Sequence, residues 1–364
     1  MFPPRQRLPE GDAAIRATDS DAALARLSAV HKGYLTDPYI TPFVSRPHLQ
    51  HPRPPLINIG TYVRSEALDE LVDGWLALCE AEGTKCQIVS MGAGSDTRFW
   101  RLADVYIVDR SQLRQTGHRK DLLAKYIELD FAEITTKKAM AIRKHRELSA
   151  ILGKPEDVSL ANGGTTLHSP VYHLLAADLR KPPAESLAPL LASPTDPLLS
   201  PSLPTLLLFE CVLVYMSPEA SQNVLQWFTD YFTAGSGVLG CIIYEMFGLE
   251  DSFGRVMVNN LKARSVTLPG AKPYPNFDTL PNRFLQHGWE IARALTLKDI
   301  RREYINPREL ERIAQLEMLD EIEELELVLA HYAITWGAKL PANSGQLKAR
   351  WADWGLRRKE ADEQ

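Results

Sequence analysis

One short segment limits this chain more than any other. The apolar run CQIVSM (86–91) stops at Gly92-Ala93-Gly94, and a helix-competent stretch, SDTRFWRL, comes immediately after. An apolar run closed by glycines and reopened as a helix is the strand–turn–helix unit of a parallel sheet. Glycine lacks a Cβ, so the turn can be tight and its backbone can approach a ligand at the carboxyl edge of the sheet. A dinucleotide fingerprint would continue as GxGxxG, its third glycine letting helix and strand pack closely. Here the run continues GxGxDT, with Asp96 and Thr97 where the helix begins and no third glycine. Asp96 suits a helix N-cap, and its charge would repel a pyrophosphate. A ligand without phosphate fits better; S-adenosylmethionine, carrying a sulfonium and an ammonium group, is one.

Four further runs read as buried strands: KYIELDF (125–131), VYHLLAAD (171–178), TLLLFECVLVYM (205–216) and VLGCIIYEMF (238–247). Continuous apolarity is the pattern of strands covered on both faces. Helical periods at 133–148 and 218–232 lie between them, and GWEIARALTL and HYAITWGAKL predict two more strands around a helix at 307–319. Alternating strand and helix give the fold class: α/β, a Rossmann-like doubly wound sheet. One domain is expected over 19–340, with a helical N-terminal extension at 19–85. Proline crowds 181–204 too densely for a long helix or a central strand. That insertion, residues 1–18 and the polar tail 341–364 are expected to be poorly ordered or solvated. The acidic run 321–329 predicts a helix with Ile322, Leu325, Val328 and Leu329 inward.

Composition removes several function classes. A formal charge of −5 argues against coating nucleic acid. No run of 18 apolar residues exists to span a bilayer, and the N-terminus has neither a secretory nor a transit pattern. The four cysteines (Cys79, Cys86, Cys211, Cys241) form no CxxC pair and read as reduced residues rather than a metal site. A cytoplasmic protein without metal, nucleic acid or membrane partners, and monomeric, is the expectation.

Two charged residues stand out against apolar surroundings. Glu210 interrupts TLLLFECVLVYM, and a buried carboxylate costs several kcal/mol unless compensated. Its partner is expected to be a bound ligand or a neighbouring cation, unless the strand end reaches solvent. Arg64 lies on the inward face of a predicted helix at 61–80, one turn before Leu68 and in line with Leu71 and Trp75. It either snorkels or grips a carboxylate, for which its planar fork is well shaped.

QIVSMGAGSDTRFWRL, KYIELDF, AADLR and FECVLVYM, with DSFGRVMVNNL after them, together resemble the leucine carboxyl methyltransferases. The resemblance runs from GYLTDPYITPFV and INIGTYVR to GWE and HYAITW, over roughly residues 25 to 340. It implies a class I S-adenosylmethionine-dependent methyltransferase fold. By position it also implies that Gly92 approaches the methionine portion of S-adenosylmethionine and that Arg64 grips its carboxylate or the substrate's. Asp178 and Leu179 would contact the adenine, and Glu210 would lie beside the cofactor. Arg26 falls where the family carries a lysine, and Tyr215 stands near the reaction centre. For the ribose, strand-to-acid spacing favours Asp109 slightly, whereas the family pattern YxExDF favours Asp130; the resemblance selects Asp130. The implied substrate is the C-terminal leucine carboxylate of the protein phosphatase 2A catalytic subunit. Competing readings are a catalytically idle cofactor-binding regulator, a related carboxyl methyltransferase acting on transfer RNA, and a nicotinamide dehydrogenase.

Overall fold

A computed structural model describes residues 10–103, 108–109, 114–115, 119–342 and 345–359. The apolar runs supply its central sheet: β1 (Cys86–Met91), β2 (Leu123–Asp130), β3 (Ser159–Ala161), β4 (Thr166–His168), β5 (Tyr172–Ala176), β6 (Thr205–Glu210), β7 (Leu239–Met246), β8 (Ile291–Thr296) and β9 (Tyr332–Lys339). Their order is β8-β9-β7-β6-β1-β2-β5-β4-β3. The five central strands run parallel. β9 pairs antiparallel with β7, and β8 with β9. This is the α/β, doubly wound sheet that the sequence pattern predicts.

Why the strands are apolar throughout is visible in their alternation. Ile88, Tyr126, Leu206 and Leu208 enter a core on one face, with Trp75, Phe99 and Trp100. Val89, Ile127, Leu207 and Phe209 enter another on the opposite face, with Val224 and Phe228. With both faces covered, period-2 polarity has no reason to appear.

The helices around the sheet include α1 (Glu10–His31), α2 (Pro55–Ala81), α3 (Arg98–Ala103), α4 (Ala132–Lys144), α5 (Pro218–Thr233) and α6 (Ser252–Lys262). No helix among the described residues is long and apolar enough to cross a membrane.

The structure corrects several expectations. Residues 10–18 are not disordered but form the first turns of α1; residues 1–9 lie outside the described set. The Pro-rich insertion is folded: two single-turn helices, Pro183–Ser186 and Ala188–Leu191, bring Leu187, Leu191 and Leu199 into the second core. The tail is not merely solvated, because a helix at Gly345–Trp351 delivers Trp351 and Trp354 onto Trp75, at ring-centroid distances of 4.4 and 5.1 Å. The run 205–216 is a strand only to Glu210. Cys211 then turns left-handed (φ +54) into a 3-10 turn at Leu213–Tyr215. The helix at 133–148 breaks at His145 into α4 and Arg146–Leu152. The last predicted helix is shorter, Pro307–Ala314. In the acidic helix, Ile322–Ala330, Leu325 and Leu329 are buried but Ile322 is exposed.

Candidate functional site

Strand order reverses at β1, whose neighbours β2 and β6 are reached by connections running in opposite directions. In a doubly wound sheet a crevice opens there, beyond the carboxyl ends of the strands. A cavity of about 360 Å³ occupies that place. Arg26, Arg64, Gly92, Asp130, Asp178, Leu179, Glu210 and Tyr215 all line it, so the structure brings every site residue named from the sequence to one cavity. Asp109 is elsewhere: it pairs with Arg114 in a separate two-residue ribbon outside the main sheet.

The turn after β1 requires its glycines. Gly92 and Gly94 have φ of +63 and +48, a region costly for residues with a Cβ. A Cβ on Gly92 would sit 2.4 Å from Val212 Cγ2, and one on Gly94 would sit 2.7 Å from Asp19 Oδ1. The Gly94 N–H donates to Asp130 Oδ2 at 2.7 Å, and the Phe131 N–H donates to Oδ1 at 2.7 Å. Asp130 therefore locks the glycine turn from the end of β2. Burial outweighs these two donors and pushes its carboxyl up to about 6.

A chain of alternating charges runs from the N-terminal extension to the cavity. Arg26 Nε contacts Asp37 Oδ2 at 2.5 Å, and Thr97 donates to the same oxygen. Asp37 faces Arg101, which donates to Asp69. Asp69 accepts from Arg98 Nε at 3.2 Å. Arg98 then reaches Asp96 Oδ2 at 2.7 Å and Glu210 Oε1 at 2.9 Å. Burial disfavours the Arg98 charge, yet Asp96, Glu210 and Asp69 hold it well above the usual guanidinium range. Asp96 is correspondingly depressed: burial raises it, but Arg98, Arg101 and Lys138 prevail. Asp96 also accepts the Arg98 N–H at 3.0 Å, an Asx turn; because α3 begins at Arg98, Thr97 holds the N-cap position that the sequence predicts for Asp96.

Arg64 stands tenth in α2, because that helix begins at Pro55 rather than at 61. Its Nε is 3.8 Å from Glu210 Oε2, and its guanidinium carbon lies 5.3 Å over the Tyr244 ring. That Nε is buried without a hydrogen-bond partner, Glu210 standing too far off to accept from it. Arg26 differs. Its Nε and one terminal nitrogen are taken by Asp37 and by Ser65 (3.1 Å), so it lines the wall with its head largely committed. Asp178 holds Arg180 at 2.8 and 2.9 Å, and Arg180 in turn holds Asp12 of α1. Leu179 beside it is nearly buried. Tyr215 sits in the turn after Glu210, its phenol pushed far up by burial.

Sequence reasoning missed Arg98, Tyr244 and the α1 residues Ile15, Arg16 and Asp19, which also line the cavity, and Asp69 and Arg101, which hold Arg98 and its neighbours from behind it. Only Arg98 carried a signal, as a cation inside the glycine motif where α3 begins. Among the described residues no cluster of His, Cys, Asp and Glu could hold a metal ion.

Residues 14–229 match a family model described as leucine carboxyl methyltransferase. A Cryptococcus neoformans protein named leucine carboxyl methyltransferase 1 is 43% identical, over 93% of this chain and 98% of its own length. The Bos taurus protein of that name is 35% identical over 90% of each chain. An Arabidopsis thaliana homolog is 34% identical over 89% of each.

Proposed function

Because the chain belongs to the leucine carboxyl methyltransferase family, and is a methyltransferase, we propose that it methylates the C-terminal leucine carboxylate of the protein phosphatase 2A catalytic subunit, using S-adenosylmethionine. The observation that carries this reading is the unpartnered Arg64 Nε beside Glu210, in a cavity closed by a turn that only glycine fits.

The residues present suit the cofactor. When bound, S-adenosylmethionine supplies an electrophilic methyl carbon on a sulfonium. Glu210, whose Oε1 is held by Arg98, keeps Oε2 for an ammonium group. Asp130 offers the remaining lone pairs of two fixed oxygens to ribose hydroxyls. Leu179 and Asp178 supply an apolar face and an acceptor for the adenine. The glycine turn lets backbone approach without a side chain intervening.

The acceptor needs no general base, since an α-carboxyl with a pKa of about 3.5 is ionised at neutral pH. What the chain must do is orient that carboxylate and keep water out. The Arg64 fork does the first, as a bidentate partner for a carboxylate. The buried walls made by Ile40, Tyr244 and Met246 do the second. As carboxylate and sulfonium charges vanish together, an apolar surround favours the transition state over the ground state.

The test is transfer of labelled methyl to the phosphatase catalytic subunit, with and without its terminal leucine. Label is expected only on the leucine-terminated protein, and Arg64→Ala is expected to lower turnover roughly 100-fold. Cofactor binding without any transfer would favour the idle regulator instead.

A further inference from the structure

Among the described residues, Arg98 is the one member of the charge chain whose three guanidinium nitrogens each meet a different carboxylate. Nε meets Asp69 of α2, one terminal nitrogen meets Asp96 of the glycine turn, and the other meets Glu210 at the end of β6. Its side chain is 4% exposed. It is also the first residue of α3, where the helix dipole opposes a cation. Local structure therefore gives no reason for an arginine here; the three acids do. Glu210, by contrast, is shared unequally: ion-paired with Arg98 at 2.9 Å and standing off from Arg64 at 3.8 Å. In the whole chain of charges, four acids (Asp37, Asp69, Asp96, Glu210) face four arginines (Arg26, Arg64, Arg98, Arg101), so the group is neutral before any ligand arrives.

We propose that Arg98 is a positioning residue for the methyl transfer: by taking one oxygen of Glu210 it turns the other toward the cavity and keeps Arg64 free for the acceptor carboxylate. This rests on the functional reading above and deepens it. Remove the Arg98 charge and the balance tips to four acids against three arginines. Glu210 then closes on Arg64, its remaining cation, and the fork that should meet the acceptor is consumed internally. The groups facing Glu210 are Arg98 and Asp96 from the start of α3, Arg64 from α2, Tyr244 from β7 and Cys211 next in the chain. Burial pushes the Cys211 thiol up to about 12 and the Tyr244 phenol far up. A buried carboxylate that loses its cation takes up a proton more readily, and a neutral carboxyl no longer attracts an ammonium.

The experiment compares wild type, Arg98→Met and Arg98→Lys for acceptor KM and cofactor Kd at pH 6 and 8. Arg98→Met is expected to raise acceptor KM at least about thirtyfold at pH 8, as expected for breaking a buried charge pair. Its cofactor Kd relative to wild type is expected to grow at least about threefold more on going from pH 8 to 6, a carboxyl without its cation taking up a proton. Arg98→Lys, which restores the charge without the fork, should recover part of both. A Kd ratio that is the same at both pH values, or a lysine variant as impaired as the methionine one, overturns the proposal, because a merely structural arginine would behave so. Should Arg98→Met not fold, Arg98→Lys carries the test: it should raise acceptor KM with a pH-dependent Kd ratio, and unchanged values refute the proposal. A wild-type chain that transfers no methyl sinks the functional reading itself. A wild type that transfers, alongside an Arg98→Met variant of unchanged KM, sinks only the role of Arg98.

Discussion

Replacing Gly92 by alanine asks how tightly the glycine turn is specified. Two penalties can be worked from the structure. The backbone at φ +63 costs a residue with a Cβ about 1–2 kcal/mol. The new methyl carbon would also lie 2.4 Å from Val212 Cγ2 and 3.3 Å from Cγ1, and overpacking of that kind costs about 1–3 kcal/mol. Together they predict a loss of roughly 2–5 kcal/mol. For 364 residues the unfolding entropy is roughly 0.8 kcal/mol/K, so Tm should fall by roughly 3–7 °C. Because Val212 lines the cavity, cofactor affinity should fall as well. Scanning calorimetry of Gly92→Ala in the wild-type and Val212→Ala backgrounds separates the two penalties. With Val212 truncated the steric part disappears and only about 1–2 kcal/mol should remain. An equal loss of Tm in both backgrounds would refute the assignment of the clash to Val212, and no loss in either would refute the need for glycine.

The same geometry sets two further outcomes. Burial raises the Asp130 carboxyl to about 6, so the folded protein holds that proton to higher pH than the unfolded chain. Its contribution to stability is thus lost as pH rises from about 4 to about 6. Cofactor affinity should change in the opposite sense, weakening as pH drops through about 6, and Asp130→Asn should both weaken binding and remove that inflection in a calorimetric titration. In the tail, Trp354→Ala removes a ring against Trp75 and the indole N–H bond to the Leu71 carbonyl. A loss of about 3–5 kcal/mol is expected in denaturant titration, with cofactor affinity intact while the fold persists; an unchanged midpoint would mean the tail contributes nothing.

The sequence's legibility tracked the range of each interaction. Apolar runs located every central strand, because burial on both faces leaves its mark within each strand. They failed at the end of β6, where hydropathy continues through CVLVYM although strand pairing stops at Glu210. The turn after it is buried too, and apolarity reports burial, not hydrogen bonding. Proline density excluded long helices in 181–204 correctly, yet said nothing of order, since Leu187, Leu191 and Leu199 still find a core. In the tail, averaging over polar composition hid Trp351 and Trp354, whose burial depends on Trp75 far back in α2. Candidate site residues could be singled out from the sequence one by one. Their pairing could not: nothing local links Asp69 in α2 to Arg98 and Arg101 in α3.

That missing pairing changes the physical account of Glu210. Taken alone, an acid in an apolar strand calls for a ligand to neutralise it. With Arg98 in contact and Arg64 nearby, the charge is already compensated by the protein, so its desolvation is met during folding rather than on binding. If the proposed sulfonium and carboxylate enter there, they meet charges already arranged, which is the condition under which electrostatic preorganisation is most effective. The proposed roles of the two arginines follow from the same contrast: each nitrogen of Arg98 meets a carboxylate, as suits a residue that shapes the site, whereas Arg64 only stands near Glu210, as suits one that acts on what enters it.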